Sequence, residues 1–133
     1  MNIDELKLKI IPLAEKYNLK LVILFGSQAS GRTHKHSDID IGFLPISDFD
    51  AEIYLLTDLY QILKREDAQV VNLKNASPLL RYSALSDCIV LFEKNNGIYD
   101  NARGYAFKLY AETKPLYDLR RARLSQYVAS INI

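Results

Sequence analysis

The chain carries one cysteine, Cys88, so it cannot close an internal disulfide on itself. That thiol sits inside an apolar run, which fits packing in a reducing compartment and weighs against secretion. No signal-peptide pattern opens the sequence, and no apolar run approaches the roughly 18 residues that a membrane span needs. The expected location is therefore the cytoplasm, away from any membrane. Charge of one sign is also scarce, because the formal net charge is only +1. The broad positive field by which many proteins hold RNA or DNA is missing, so direct nucleic-acid binding would need a local patch. Internal repeats, low-complexity tracts and interdomain linkers are absent as well.

What is present is the composition of an ordinary globular protein, with 49% hydrophobic and 25% charged residues among 133, which sets aside disordered and fibrous classes. A chain of this length fits one domain, residues 1–133, and buries about two thirds of its unfolded surface without a disulfide or structural metal. Ile3, Leu6, Ile10, Leu13, Ala14 and Tyr17 fall on one helical face, predicting an amphipathic helix over 3–17 that bends at Pro12. Leu21 to Phe25 is a short apolar run stopped by Gly26, and it predicts a buried strand. After a second strand beginning near Asp38, the segment from Leu44 to Asp50 is expected to be a loop. Leu55, Leu56, Leu59, Ile62 and Leu63 predict a helix of about 14 residues ending at Arg65. Ala68 to Leu73 predicts a strand. Ser77-Pro78 supplies a cap and a first-turn proline for a helix to about Leu85. Cys88 to Phe92 predicts the fourth strand. From Tyr99 the spacing is helical again, with a break or sharp bend expected at Pro115. The fold class is thus α/β, with an α/β core over 1–95 and a helical tail over 96–133.

The crossing between the first two strands is too short for a helical crossover with its turns, so these strands should be antiparallel and the four-stranded sheet mixed. The end of the first strand and the start of the second then lie side by side. This brings Gly26 and Ser27 against Asp38 and Asp40. The two carboxylates are two residues apart on a strand, hence on one face and roughly 6 to 7 Å apart along the chain. Two such carboxylates suit a hard cation such as Mg²⁺, which completes its shell with water and phosphate oxygens. A glycine turn at a strand end offers backbone N–H groups and a hydroxyl to a phosphate with no Cβ in the way.

Gly26-Ser27, Gly31 and Ser37-Asp38-Ile39-Asp40 resemble the signature of the nucleotidyltransferase superfamily, which includes DNA polymerase beta. The compact length resembles its minimal branch, the MNT proteins. The likeness is close over residues 22–41 and looser over Asn72 to Leu80 and at Lys114-Pro115. It implies a nucleotidyltransferase-like fold, ATP bound with Mg²⁺, phosphates at Gly26 and Ser27, the metal at Asp38 and Asp40, and transfer of AMP to a hydroxyl. It also implies a HEPN-domain toxin as partner, since many minimal members act as antitoxins beside such a ribonuclease and some attach AMP to its tyrosine.

One position departs from the family pattern. Active members carry a third carboxylate on the neighbouring strand, and Gln69 stands there. A carboxamide can offer oxygen to a metal but takes no proton from an attacking hydroxyl. Loss of a positioned general base costs about 10²- to 10⁴-fold in rate. Asp67 shares a face with Gln69 by strand alternation, about 6 to 7 Å further along, and is the alternative acid if the strand begins earlier or slips register. A fold-retaining module that neutralises its partner by contact alone therefore competes with the enzyme, and transfer to a small molecule such as an aminoglycoside is a third reading.

Plainer readings stand beside each motif. Asp38 and Asp40 could simply be solvated acids at a strand start, and Ser27 a turn hydroxyl bonded to its own backbone. His34 and His36, with Arg32 and Lys35, read as a solvated loop or a triphosphate contact. Arg120-Arg121-Ala122-Arg123 reads as a solvated helix end or a basic patch. Tyr99, Tyr105, Tyr110, Tyr117 and Tyr127 divide between core packing and a partner-binding face.

Overall fold

The computed structural model describes residues 2–26, 39–47, 52–64 and 67–131. Helix α1 (Ile3–Lys16) is started by Asn2, whose Oδ1 accepts from the N–H groups of Asp4 at 3.0 Å and Glu5 at 3.4 Å. These are donors that no preceding helical carbonyl can reach. Leu6, Ile10, Leu13 and Ala14 form its buried stripe. Pro12 lies inside α1 on the solvent side, and the carbonyl of the exposed Leu8, left without its usual donor, can turn to water.

The remaining elements alternate as expected: β1 (Leu19–Phe25), β2 (Ile39–Pro45), α2 (Glu52–Leu63), β3 (Ala68–Asn72), α3 (Pro78–Ser86), β4 (Cys88–Glu93) and α4 (Ile98–Ile131). The sheet order is β3-β2-β1-β4. Strand β1 is antiparallel to both β2 and β4, while β3 runs parallel to β2, so the sheet is mixed. Period-two alternation then divides the core in two. Val22, Leu24, Ile39, Ile41 and Phe43 face α1 and α2. Leu21, Ile23, Leu44 and Leu73 face α3 and α4. Asp40, two residues before Gly42 and four before Leu44, belongs to this second face.

Several boundaries differ from the sequence expectation. Strand β2 runs through Leu44 to Pro45 instead of yielding to a loop at Leu44. Pro45 stands opposite Leu19 and past the last rung shared with β3, where a residue without an N–H is tolerated. Helix α2 ends at Leu63, with Lys64 taking a positive φ of 53°. Strand β3 stops at Asn72, whose Oδ1 accepts from Lys74 N–H at 3.0 Å and whose carbonyl accepts from Asn75 N–H at 3.1 Å. That local turn removes Leu73 from the strand but keeps it buried. Ser77 caps α3 as expected, its Oγ accepting from Leu80 N–H at 3.2 Å.

The largest correction concerns the tail. Helix α4 continues for 34 residues through Pro115 instead of breaking there. Both Pro115 and Ala111 are exposed, so the carbonyl that loses its donor can be hydrated, and Lys114 reaches across the site to Asp118 at 3.1 Å. The start of α4 is fastened by Tyr99, which donates its N–H to Glu93 Oε2 and its hydroxyl to the Leu85 carbonyl, each at 2.7 Å. Small Ala102 and Ala106 are the only residues α4 buries among those described, and Tyr110 stacks on Tyr82 with centroids 4.4 Å apart. Beyond that stack Leu116, Leu119, Leu124, Tyr127 and Ile131 are exposed, as is the Arg120–Arg123 run. No helix among the described residues is long and apolar enough to cross a membrane.

Candidate functional site

The antiparallel ladder of β1 and β2 closes with Phe25 opposite Asp40, so the end of one strand and the start of the other are neighbours. Gly26 follows immediately, with φ at +80°, a conformation that side-chain-bearing residues rarely adopt. A Cβ built on Gly26 would lie 2.3 Å from Asp40 Oδ2 and 3.3 Å from its carboxyl carbon. The Asp40 carboxylate therefore occupies the volume that any other residue at 26 would fill. Glycine here meets two requirements at once, a left-handed turn and the close approach of a carboxylate to bare backbone.

Strand β3 brings Gln69 into register with Asp40 from the other side. In a parallel pair, residues in register project to the same face, so Asp40 and Gln69 share the α3/α4 side of the sheet. Gln69 is exposed and Asp40 half-buried. Asp67, the alternative acid, stands one residue before β3, and its backbone carbonyl accepts from Ile39 N–H at 3.1 Å, starting the parallel ladder.

Ser27 and Asp38 lie outside the described residues, as do Gly31, Arg32, His34, Lys35 and His36. Of the predicted site residues, the structure thus brings Gly26 and Asp40 together. Cys88, opposite Phe25 in β4, packs with Leu21, Ile23 and Leu85 as its apolar surroundings imply. Burial raises the pKa of its thiol, disfavouring the reactive thiolate. Burial likewise pushes the neighbouring Tyr99 phenol up to about 12.

Among the described residues no group of three or more His, Cys, Asp or Glu side chains could hold a metal by itself. Mg²⁺ does not require such a cage, since one or two carboxylates and substrate phosphates suffice. The fit is visible in the cradle at Gly26, where an acid oxygen meets a side-chain-free turn. A triphosphate beside Asp40 would meet no Cβ from residue 26. What sequence reasoning could not reach is the closeness of this approach, because the position of Asp40 Oδ2 over Gly26 follows from a side-chain rotamer.

Comparison with known proteins agrees with this geometry. A family model described as "Polymerase beta, Nucleotidyltransferase" matches residues 8–97. A candidate protein adenylyltransferase of Methanocaldococcus jannaschii is 33% identical over 95 residues, covering 67% of this chain and 97% of that protein. A chain from a toxin-antitoxin crystal structure with AMP-PNP superposes with a TM-score of 0.75 at 27% identity, covering 92% of this chain and 98% of that one. A chain from the complex of the tri-AMPylated Shewanella oneidensis HEPN toxin with its MNT antitoxin shares the fold at a TM-score of 0.71, with 24% identity and coverage of 96% and 99%. With the family profile spanning all four strands and the Gly26–Asp40 contact at the expected strand end, this chain belongs to the polymerase beta nucleotidyltransferase family.

Proposed function

We propose that this chain is a Mg²⁺-dependent, nucleotidyltransferase-type antitoxin that moves AMP from ATP to a hydroxyl of a HEPN-type toxin. The observation that carries the reading is the Asp40 carboxylate seated over Gly26, 2.3 Å from where a Cβ would be. Asp40, with Asp38, is the candidate metal ligand. Gly26 and Ser27 are the candidate phosphate contacts, through backbone N–H groups and the serine hydroxyl. When bound, Mg²⁺ would supply charge neutralisation at the phosphates and ease departure of pyrophosphate. The toxin-antitoxin structures that this fold resembles, one with AMP-PNP and one with a tri-AMPylated toxin, support the choice of nucleotide and acceptor.

The acceptor oxygen forms a bond to the α-phosphorus, the bond from that phosphorus to the bridging oxygen breaks, and pyrophosphate leaves. The hydroxyl proton goes to a base, for which Asp67, one residue before β3, is the candidate. Gln69, in register with Asp40, cannot accept it. The expected test outcome is label on the partner when the chain, Mg²⁺, labelled ATP and the product of the adjacent gene are combined. An unlabelled partner would defeat the enzymatic reading.

The carboxamide at position 69 also favours a second reading, a nucleotidyltransferase-fold module of weakened or absent activity that neutralises its partner by contact. On that reading Asp38→Asn with Asp40→Asn still protects cells from the partner. On the first reading protection disappears.

A further inference from the structure

At the end of the sheet far from Gly26, a cavity of about 320 Å³ opens between β1, β2, α3 and α4. Its lining includes Lys20, Leu44, Arg81, Ile98, Asn101 and Tyr105, so it offers two cations and an amide, with no acid among its described lining residues. Lys20 is five residues before Phe25, about 16 Å along the strand at 3.3 Å per residue, which separates this cavity from Asp40.

Two features of the chain make the cavity more than a gap. The first is an irregularity of β1, where the register with β2 slips between Leu19 and Leu21. Leu19 packs in the α1/α2 core and Leu21 in the α3/α4 core. In an unbroken alternation Lys20 would face α1 and α2, opposite to Leu21. Instead it lines the α3/α4 cavity together with Leu44. Bulges commonly re-aim a side chain in this way.

The second feature is Arg81. Its Nε is buried and has no hydrogen-bond partner among the described residues. The guanidinium lies over the Tyr105 ring, its central carbon 5.1 Å from the centroid, so the ring holds the cation without accepting its in-plane hydrogens. Guanidinium has five donors and no acceptor, and a buried donor without a partner destabilises the fold. Neither Arg81 nor Lys20 has an ion-pair partner among the described residues.

We propose that this cavity is a binding site for a small organic oxyanion, phosphate or carboxylate, clamped by the Arg81 fork with Lys20 and Asn101 beside it. A planar fork matches two oxygens of either group, and the Lys20 ammonium adds a point charge. The volume admits a fragment-sized metabolite. This site is separate from the nucleotide site and does not depend on the transfer reaction.

The test uses the full-length ¹⁵N-labelled chain with chelator and no nucleotide, at constant ionic strength. Inorganic phosphate, glycerol phosphate and succinate are titrated separately, with chloride as the reference. Saturable amide shifts centred on Lys20, Arg81 and Asn101 are expected, and the tighter arm identifies phosphate or carboxylate as the natural group. Arg81→Gln and Lys20→Gln should each weaken binding about tenfold or more. Arg81→Lys, which keeps charge and loses the fork, should fall between. The bound anion should raise the melting temperature of the wild type and not of Arg81→Gln. Should Arg81→Gln fail to fold, the Lys20→Gln titration decides alone. No saturable response to any anion, shifts centred instead on Gly26 and Asp40, or unchanged affinity in folded variants would overturn the proposal.

Discussion

Replacing Gly26 by alanine tests the contact on which the transfer reading depends. The new Cβ would arrive 2.3 Å from Asp40 Oδ2, about 1 Å inside ordinary contact, while Asp40 Cβ at 3.5 Å needs no movement. Relief therefore comes from rotating the carboxylate, at about 0.5–1.5 kcal/mol if it leaves its rotamer well. Holding alanine at φ +80° adds about 1–2 kcal/mol. Together these predict a loss of about 1.5–3.5 kcal/mol, which a domain with about 5–15 kcal/mol in hand survives. The functional loss should be larger, because a ligand displaced by about 1 Å no longer meets Mg²⁺ at its required 2.0–2.1 Å, and such misplacement costs about 10²-fold. Urea denaturation measures the first effect, and transfer of labelled AMP at fixed Mg²⁺ measures the second. A variant that keeps both wild-type stability and wild-type transfer would show that Asp40 does not need the empty space at Gly26.

Three further perturbations address other parts of the chain. Gln69→Asp, which places an acid in register with Asp40, should raise AMP transfer by about 10²- to 10⁴-fold in a single-turnover assay; no gain would mean that another group already takes the proton. Gly42→Ala puts a Cβ 3.1 Å from Ile23 Cγ1 and 3.2 Å from both Leu73 methyls, so overpacking should lower stability by about 1–3 kcal/mol, seen as a lower urea midpoint at constant slope. Burial holds Tyr99 up to about 12, so the folded state keeps this proton at pH values where the unfolded chain releases it. Its contribution to stability is intact below pH about 10 and falls as pH rises towards 12. Absorbance titration should show a phenolate step near pH 12 that is missing in Tyr99→Phe.

Much of the fold was legible because its signals are local. The stop at Gly26 ended β1 within one residue, Ser77-Pro78 placed the start of α3, and the short crossing forced β1 and β2 antiparallel. The misjudged boundaries come from tertiary context. Pro45 joins β2 because no β3 rung reaches it, and α4 passes Pro115 because solvent can satisfy the freed carbonyl on an exposed helix. At the site, the motif pointed to Gly26 and Asp40 and to Gln69 as the odd residue, all three of which share one end of the sheet. The distance from Gly26 to the Asp40 oxygen was out of reach, since it follows from a side-chain rotamer. The bulge that turns Lys20 was equally hidden, as nothing in Leu19-Lys20-Leu21 marks a slipped register.

Helix α4 carries a mechanical consequence. At 1.5 Å per residue its 34 residues extend about 50 Å, yet its last core contacts lie near Tyr110. Twenty-odd residues of unaccompanied helix are marginal in water, so the outer arm should melt before the rest of the chain. Amide exchange should quicken stepwise past Thr113, and a protease should clip there first, leaving the sheet and the Gly26–Asp40 corner whole.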